Sequence, residues 1–361
     1  MRVLLTHEAF APDFAGGGEY VALETARHLI GRGVDLRVLT TGDPQVTSYE
    51  GIETVRLPMH RYRFNLAAGK IAALAEDVDL IQTFNYHASL PSLIAGRRLG
   101  KPVVCIVLGL FSHAWKEMRG PISGRLWMRW ERYVLSRDYA RVMFLSNYSR
   151  EQGIAMGVPA DRAKVNSPGI DLDAYGPAEE KEDVVLFVGK VHVRKGVDDI
   201  MAVAEALPEV KFRVMGWGPQ EADFKRRKPH NVEFTAFERG RVLAEAFARA
   251  RIFLFPSKAE TFGISLIEAM ASGCAVVSTV PLDFAGVRVA VGDRPAMIEG
   301  VRRLWNDRAQ TEVMGRRNVE IARPYSWDRN VSYLLSTYCE VLAEFGSNPS
   351  PKRQRGEGRG A

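Results

Sequence analysis

Cysteine is scarce. Cys105, Cys274 and Cys339 are scattered over 361 residues, too few and too far apart for a disulfide framework or a zinc site. A reducing cytoplasm fits that usage, although inert cysteines look the same in any compartment. No window approaches the roughly 20 apolar residues of a membrane-spanning helix, and the longest candidate, around residues 101–111, is only strand-sized. The opening MRVLLTHEAF reads as a strand and its following loop, not as a secretory leader. No zinc finger, RNA-binding strand motif or helix-turn-helix is present, so the formal net charge of +6 favours anionic partners without implying nucleic acid. The expected address is cytoplasmic, with association at the inner membrane face left open.

The chain is long for a single hydrophobic core, which points to two domains. It is 46% hydrophobic and 25% charged, the balance of a globular protein. Part of the positive excess sits in residues 346–361, where Lys352, Arg353, Arg355 and Arg359 lie among glycines and prolines. That composition predicts a disordered tail.

Short apolar runs alternate with helical patterns along the rest of the chain. Residues 2–6 predict a strand, three glycines follow, and residues 19–33 predict a helix that closes near Gly31 or Gly33. Residues 34–40 predict the next strand, giving the β–loop–α–β opening of a doubly wound domain. Further strands are expected at 80–83, 103–108 and 141–145, and this first domain is expected to span residues 1–167. A second α/β pattern starts at residue 184, with strands expected at 184–188, 211–215, 232–235, 252–255, 275–278 and 287–291. Helices are expected at 198–207, 241–250 and 262–272, within a second domain of residues 168–325. A last helix, over 326–345, carries Val331, Leu334, Leu335, Tyr338 and Leu342 at three-to-four spacing, one buried stripe.

Three places carry candidate chemistry. Gly16, Gly17 and Gly18 precede a helix. There, backbone amides can approach an anion closely, or the glycines form only a flexible loop. The run from Gly189 through Lys190, His192, Arg194 and Lys195 to Gly196 follows a strand and precedes a helix. It places cations where α/β ligands bind, or it is a solvated turn. The run from Lys258 to Glu268 places Glu260 before a helix and Glu268 among Ile264, Leu266, Ile267, Ala269 and Met270. A carboxylate on such an apolar helix needs a hydrogen-bond or charge partner, unless it faces solvent.

This third run makes the chain recognisable. Pro256, Ser257, Glu260, Phe262, Gly263 and then Glu268, Ala269, Met270, Ala271 and Gly273 resemble the signature of the group 1, or family 4, retaining glycosyltransferases. Gly189 with Lys190, where the family has arginine, and Lys195 with Gly196 are similar to that family's basic loop. The runs Gly216 to Pro219, Ser167 to Asp171 and Tyr325 to Trp327 also fit. The resemblance implies the GT-B fold, with two Rossmann-like domains facing across a cleft and a C-terminal helix that packs back on the first. It implies transfer of a sugar from a UDP- or GDP-sugar, anomeric configuration retained, to a glycan, lipid-linked or small-molecule acceptor. A role in cell-surface polysaccharide or glycolipid assembly would follow.

By the same resemblance, Lys190 and Lys195 bind the donor diphosphate and stabilise it as it leaves. Glu268 accepts the ribose hydroxyls, and Glu260 contacts the transferred sugar. Gly189, Gly216, Phe262, Gly263 and Ile264 line the phosphate site, and Gly17 and Gly18 approach from the first domain. No metal and no cofactor are expected, because protein cations take the metal's place and an Asp-x-Asp motif is lacking. The sequence departs from the family twice. Leu108, followed by Gly109, stands where a histidine is common, with His113 five residues on as a substitute or a mere surface residue. After Pro281, the run Leu282 to Gly286 replaces the usual glycine-rich, proline-glutamate loop and looks shortened. These departures motivate an alternative, a non-catalytic nucleotide-sugar-binding homologue that supports a partner transferase. A phosphorylase or nucleotide-sugar hydrolase of the same fold would share the donor machinery. Finally, the stretch from Arg125 to Tyr133 mixes arginines with aromatics. It reads as a membrane-facing surface or, more simply, as aromatics packing one helix face. The basic run Lys225 to Lys228 reads as a solvated turn.

Overall fold

The computed structural model describes residues 1–13 and 16–347. Of the tail expected over 346–361, everything from residue 348 lies outside the described residues. The chain divides into two compact units. One comprises residues 1–168 with the chain from Trp327 on, and the other is residues 169–326.

The first unit is built on an eight-stranded sheet. Its strands are β1 (Arg2–Thr6), β2 (Asp35–Thr41), β3 (Ser48–Tyr49), β4 (Ile52–Leu57), β5 (Leu80–Phe84), β6 (Val103–Val107), β7 (Arg141–Phe144) and β8 (Ala163–Val165). Their order is β3-β4-β2-β1-β5-β6-β7-β8. All pairs are parallel except β3 with β4. The central strands β5 and β6 are buried along their whole length, as parallel strands covered on both faces must be. Leu4, Ile81, Val103, Cys105 and Phe144 form the core there with Tyr139. The helix Gly17–Gly31 follows β1 and buries Val21, Ala22, Ala26 and Leu29. Gly17 and Gly18 are its first turn rather than a loop before it.

The last helix, Trp327–Ser347, belongs to this unit. Val331, Leu334, Tyr338 and Val341 are its buried stripe. Trp327 stacks on His28 at 5.3 Å and meets Tyr20 edge-on at 6.4 Å. Arg32 pairs with Asp328 at 2.7 Å, the Tyr338 hydroxyl bonds Gln82 Oε1, and Arg141 pairs with Glu344.

The second unit has a six-stranded parallel sheet of β9 (Glu182–Lys190), β10 (Phe212–Trp217), β11 (Val232–Thr235), β12 (Ala250–Phe255), β13 (Ala275–Ser278) and β14 (Gly286–Arg288). The order is β11-β10-β9-β12-β13-β14. Both sheets therefore reverse direction of growth beside their first strand, between β1 and β5 in one and between β9 and β12 in the other. In open α/β sheets the crevice outside the carboxyl ends at such a point is where ligands bind.

Several local expectations change. Residues 225–227 are not a turn but the end of the helix Glu221–Arg227. Glu221 pairs with Lys225 at 2.7 Å, and Asp223 pairs with Arg226 and Arg227 at 3.1 Å, so the cations are satisfied one turn away. The strand expected at 287–291 is cut to Gly286–Arg288. Arg288 there donates to the carbonyls of Val280 and Leu282, which folds the short connection from β13 onto itself. Among the described residues, no helix is long and apolar enough to cross a membrane.

Candidate active site

In the second unit, the signature residues collect at the carboxyl ends of β9, β10 and β12. Gly189 and Lys190 end β9, and Gly216 pairs with Gly189 from β10. A Cβ on Gly216 would lie 2.0 Å from the Gly189 carbonyl oxygen, so only glycine lets these two strand ends run this close. After β9 the chain makes a 3-10 turn, Val193–Lys195. His192 Nδ1 caps it by accepting from the Arg194 N–H at 3.0 Å, which requires that nitrogen to be unprotonated. Burial, with Arg194 and Lys190 nearby, holds the His192 pKa below its usual value. The turn closes at Gly196, with φ +76, pressed against the loop after β12. A Cβ there would meet the Pro256 carbonyl oxygen at 2.2 Å.

That contact brings Lys195, from the β9 side, to Glu260, from the β12 side. Their side chains form an ion pair and are each less than one-fifth exposed. The pair stands at the point where the sheet's growth reverses. Around it the two loops are tied together. The Lys258 N–H donates to the Arg194 carbonyl at 2.9 Å. Lys258 Nζ bonds Asp198 at 2.7 Å, and Arg294 bonds Asp199 at 2.7 Å.

The next helix is Ile264–Ala271, two residues shorter at its start than expected, because Gly263 adopts φ +84 as its N-cap. No side chain caps it, so its leading amides have no acceptor within the helix and present a partial positive charge toward the loop that carries Glu260. Phe262 is buried against Tyr325 at 5.5 Å. Glu268 is buried as well, which settles its environment: it does not face solvent. Burial raises its pKa to about 7, with the Tyr175 hydroxyl and the Arg239 charge pulling it down. Tyr175 donates to Glu268 Oε1 at 2.9 Å. Sequence reasoning passed over Tyr175 and Arg239, which lie 93 and 29 residues from Glu268 with no motif linking them.

In the first unit, a second polar group occupies the corresponding place. His7 and Glu8 follow β1, Asn85 and His87 follow β5, and all four are buried. Arg61 bridges Glu8 at 3.3 Å and Glu19 at 3.8 Å. None of these was singled out from sequence, since isolated His, Glu and Asn residues after apolar runs carry no spacing signal. Leu108 and Gly109 follow β6 and are locked by the same group. Asn85 Oδ1 accepts from the Leu108 N–H, and Asn85 Nδ2 donates to the Gly109 carbonyl, both at 2.8 Å. The Leu108 side chain packs on the first turn of the Gly17–Gly31 helix. A Cβ at Gly18 would sit 3.2 Å from Leu108 Cδ1. His113 is exposed, and its side chain makes no hydrogen bond or ion pair among the described residues. It does not take up the place of Leu108, which is half-buried against that helix.

Comparison with known proteins follows the same division. Residues 15–174 match the model of Glycosyltransferase Family 4, and residues 182–307 match that of Glycosyl transferases group 1. The chain is 26% identical to a D-inositol 3-phosphate glycosyltransferase of Mycobacteroides abscessus, over 94% of this chain and 88% of the relative. A sulfoquinovosyl transferase of Arabidopsis thaliana is 27% identical over 48% of this chain and 39% of its own length. Among solved structures, sucrose-phosphate synthase from Thermosynechococcus elongatus superposes with a TM-score of 0.80 at 19% identity, covering 95% and 99% of the two chains. Anabaena Alr3699/HepE, solved in complex with UDP-glucose, gives 0.77 at 18% identity, covering 94% and 100%. These likenesses establish the two Rossmann-like domains of the GT-B fold.

Proposed function

The chain belongs to the group 1, or family 4, glycosyltransferases, and from that membership we propose that it moves a glycosyl unit, with retention, from a nucleoside diphosphate sugar to an acceptor hydroxyl. The observation that carries this reading is the meeting of Lys195 and Glu260. Sixty-five residues apart, they pair at the ligand-binding end of the second sheet, beside an uncapped helix N-terminus. In this reading Lys190, Lys195 and the leading amides of Ile264–Ala271 hold the diphosphate. They lower the cost of the charge that builds on it as the anomeric C–O bond breaks. Gly189, Gly216 and Gly263 allow backbone to come close. Glu268 accepts the ribose hydroxyls, and Glu260 contacts the transferred sugar near the reacting face. The acceptor oxygen attacks from the side the diphosphate leaves, and a phosphate oxygen takes its proton, which keeps the configuration.

UDP-sugars are the first donors to try, because Alr3699/HepE was solved with UDP-glucose. GDP-sugars are next. Phosphorylated polyols stand first among small acceptors, given the relatives' name, ahead of glycans and lipid-linked acceptors. The test is calorimetric binding and mass-detected turnover of the purified chain against a panel of UDP- and GDP-sugars. Saturable binding of one donor, lost in Lys195→Ala and Glu268→Ala, supports the reading. Folded protein that binds none of them sinks it in favour of a homologue without donor chemistry.

A further inference from the structure

The helix Pro121–Leu135 shows a face that the first unit leaves largely uncovered, with only Tyr133 under the Arg137 guanidinium at 4.3 Å. Its inward side is well packed. Trp127 stacks on Trp115 at 5.1 Å, and Val134 and Leu135 are buried. Glu131, the helix's only carboxylate, is fully buried and accepts from the Phe111 and Ser112 N–H groups at 3.0 and 2.9 Å. The outward side is the unusual one. Ile122, Leu126, Arg129 and Tyr133 follow one another at three-to-four spacing on a single stripe, with Arg125 and Arg132 along its border. Among the described residues, the three most exposed large apolar side chains are Leu66, at 78%, Ile122, at 76%, and Leu126, at 64%. Leu66 lies on the neighbouring 3-10 segment Arg61–Leu66, which reaches this region through the Tyr62 hydroxyl, an acceptor from Arg119 at 3.3 Å.

The charges on this face are of one sign. Several other surface helices pair arginines with carboxylates one turn away, as in Arg241 with Glu245, Arg302 with Glu299 and Arg308 with Glu312. Arg125, Arg129 and Arg132 have no carboxylate partner among the described residues. A face made for water interleaves acids with bases. A face made for another protein's apolar groove would not set one unpaired cation in its stripe and two more along its border. Apolar side chains flanked by unpaired arginines complement one surface closely, an acyl-chain boundary beneath anionic headgroups.

We propose that the outward face of Pro121–Leu135 docks this chain on an anionic lipid bilayer. Ile122 and Leu126 enter the acyl boundary, Tyr133 sits at headgroup depth, and Arg125, Arg129 and Arg132 meet the lipid phosphates. This does not rest on the transfer reading, since docking requires neither donor nor acceptor.

The full chain is floated with unilamellar vesicles of phosphatidylcholine alone or mixed equally with phosphatidylglycerol. Binding to the mixed vesicles that weakens with added salt is expected, with little binding to phosphatidylcholine. Ile122→Ser with Leu126→Ser should weaken it by about tenfold or more. Arg125→Gln and Arg129→Gln should weaken it by about fivefold per charge. Val313→Ser, at an exposed position of the other unit, should change nothing. All these sites are exposed, and circular dichroism checks that each variant is folded. Equal binding to both vesicle types overturns the proposal, as does binding that survives both double variants and so arises elsewhere in the chain. Sedimentation of vesicle-free protein as a dimer that the Ile122 and Leu126 changes dissociate also overturns it, because a second copy would then cover the face.

Discussion

At pH 8 the Glu268 carboxylate is ionised inside an apolar helix, and that state has an energetic cost. Its pKa of about 7 lies above the ordinary 4.5, chiefly through burial. A carboxyl whose folded-state pKa is raised loses stability as pH climbs through that pKa, and the loss is absent below about pH 4.5. The gap sets a ceiling of about 3 kcal/mol. Glu268→Gln should therefore melt higher than the parent at pH 8, with the advantage shrinking below about pH 7 and gone below about pH 4.5 in a thermal scan. If Glu268 accepts ribose hydroxyls, the same change should abolish donor binding. In the parent, donor affinity should fall about tenfold from pH 8 to pH 6, because the carboxyl must first give up its proton. A flat pH profile by calorimetry would remove Glu268 from the donor site. Glu260 makes a contrasting case. In the ligand-free state it neutralises Lys195, so Glu260→Gln releases that ammonium for a diphosphate. UDP should bind as well as before or a few-fold tighter, while the transfer rate drops by about a hundredfold or more. Full transfer by this variant would disprove the catalytic role.

At the scale of elements, close approach matters more than any one side chain. Gly196 and Gly240 both hold φ above +70. Only Gly196 has a neighbour in the way of a Cβ, the Pro256 carbonyl at 2.2 Å, while the space around Gly240 is open. Gly240→Ala should cost about 1 kcal/mol for its conformation. Gly196→Ala should cost roughly 2–4 kcal/mol and should also impair transfer, since it parts the loops that carry Lys195 and Glu260. Equal losses in denaturant melts would mean that the contact yields easily. The buried middle of β9 was readable as an apolar run, and so was the helix after Gly263, whose neighbours are all apolar. β4 was not, because its sequence alternates a few apolar residues with Glu53 and Arg56, and its pairing with β2 is set by the sheet. The helices Arg294–Asn306 and Arg308–Ala322 also went unread. They are arginine-rich, with a narrow apolar stripe of Met297, Val301 and Leu304 in the first. In the site, motif residues close in sequence were legible. Tyr175 against Glu268 and Asn85 against Leu108 were not, since only the fold brings them together.

For the whole molecule, the connectivity matters most. The first unit is made from both ends of the chain, and the segments entering and leaving the second run side by side. The Ile170 N–H donates to the Tyr325 carbonyl at 2.9 Å, and Ile170 bridges Ser326. A chain ended at Ser326 would lose the packing of Trp327 on Tyr20 and His28 and the bond from Tyr338 to Gln82. Calorimetry should then show the first unit melting well below the second, as two separated transitions. A single transition at the parent temperature would mean the helix contributes nothing to that unit. The same arrangement orders events on the ribosome. The second unit is complete before the helix that seals the first has been translated. For the seconds needed to add the last few dozen residues, the surface around Tyr20, His28 and Gln82 stands open while its neighbour in sequence is already finished. The host waits for its guest, and that interval is when a chaperone, or a stray partner, would find this protein.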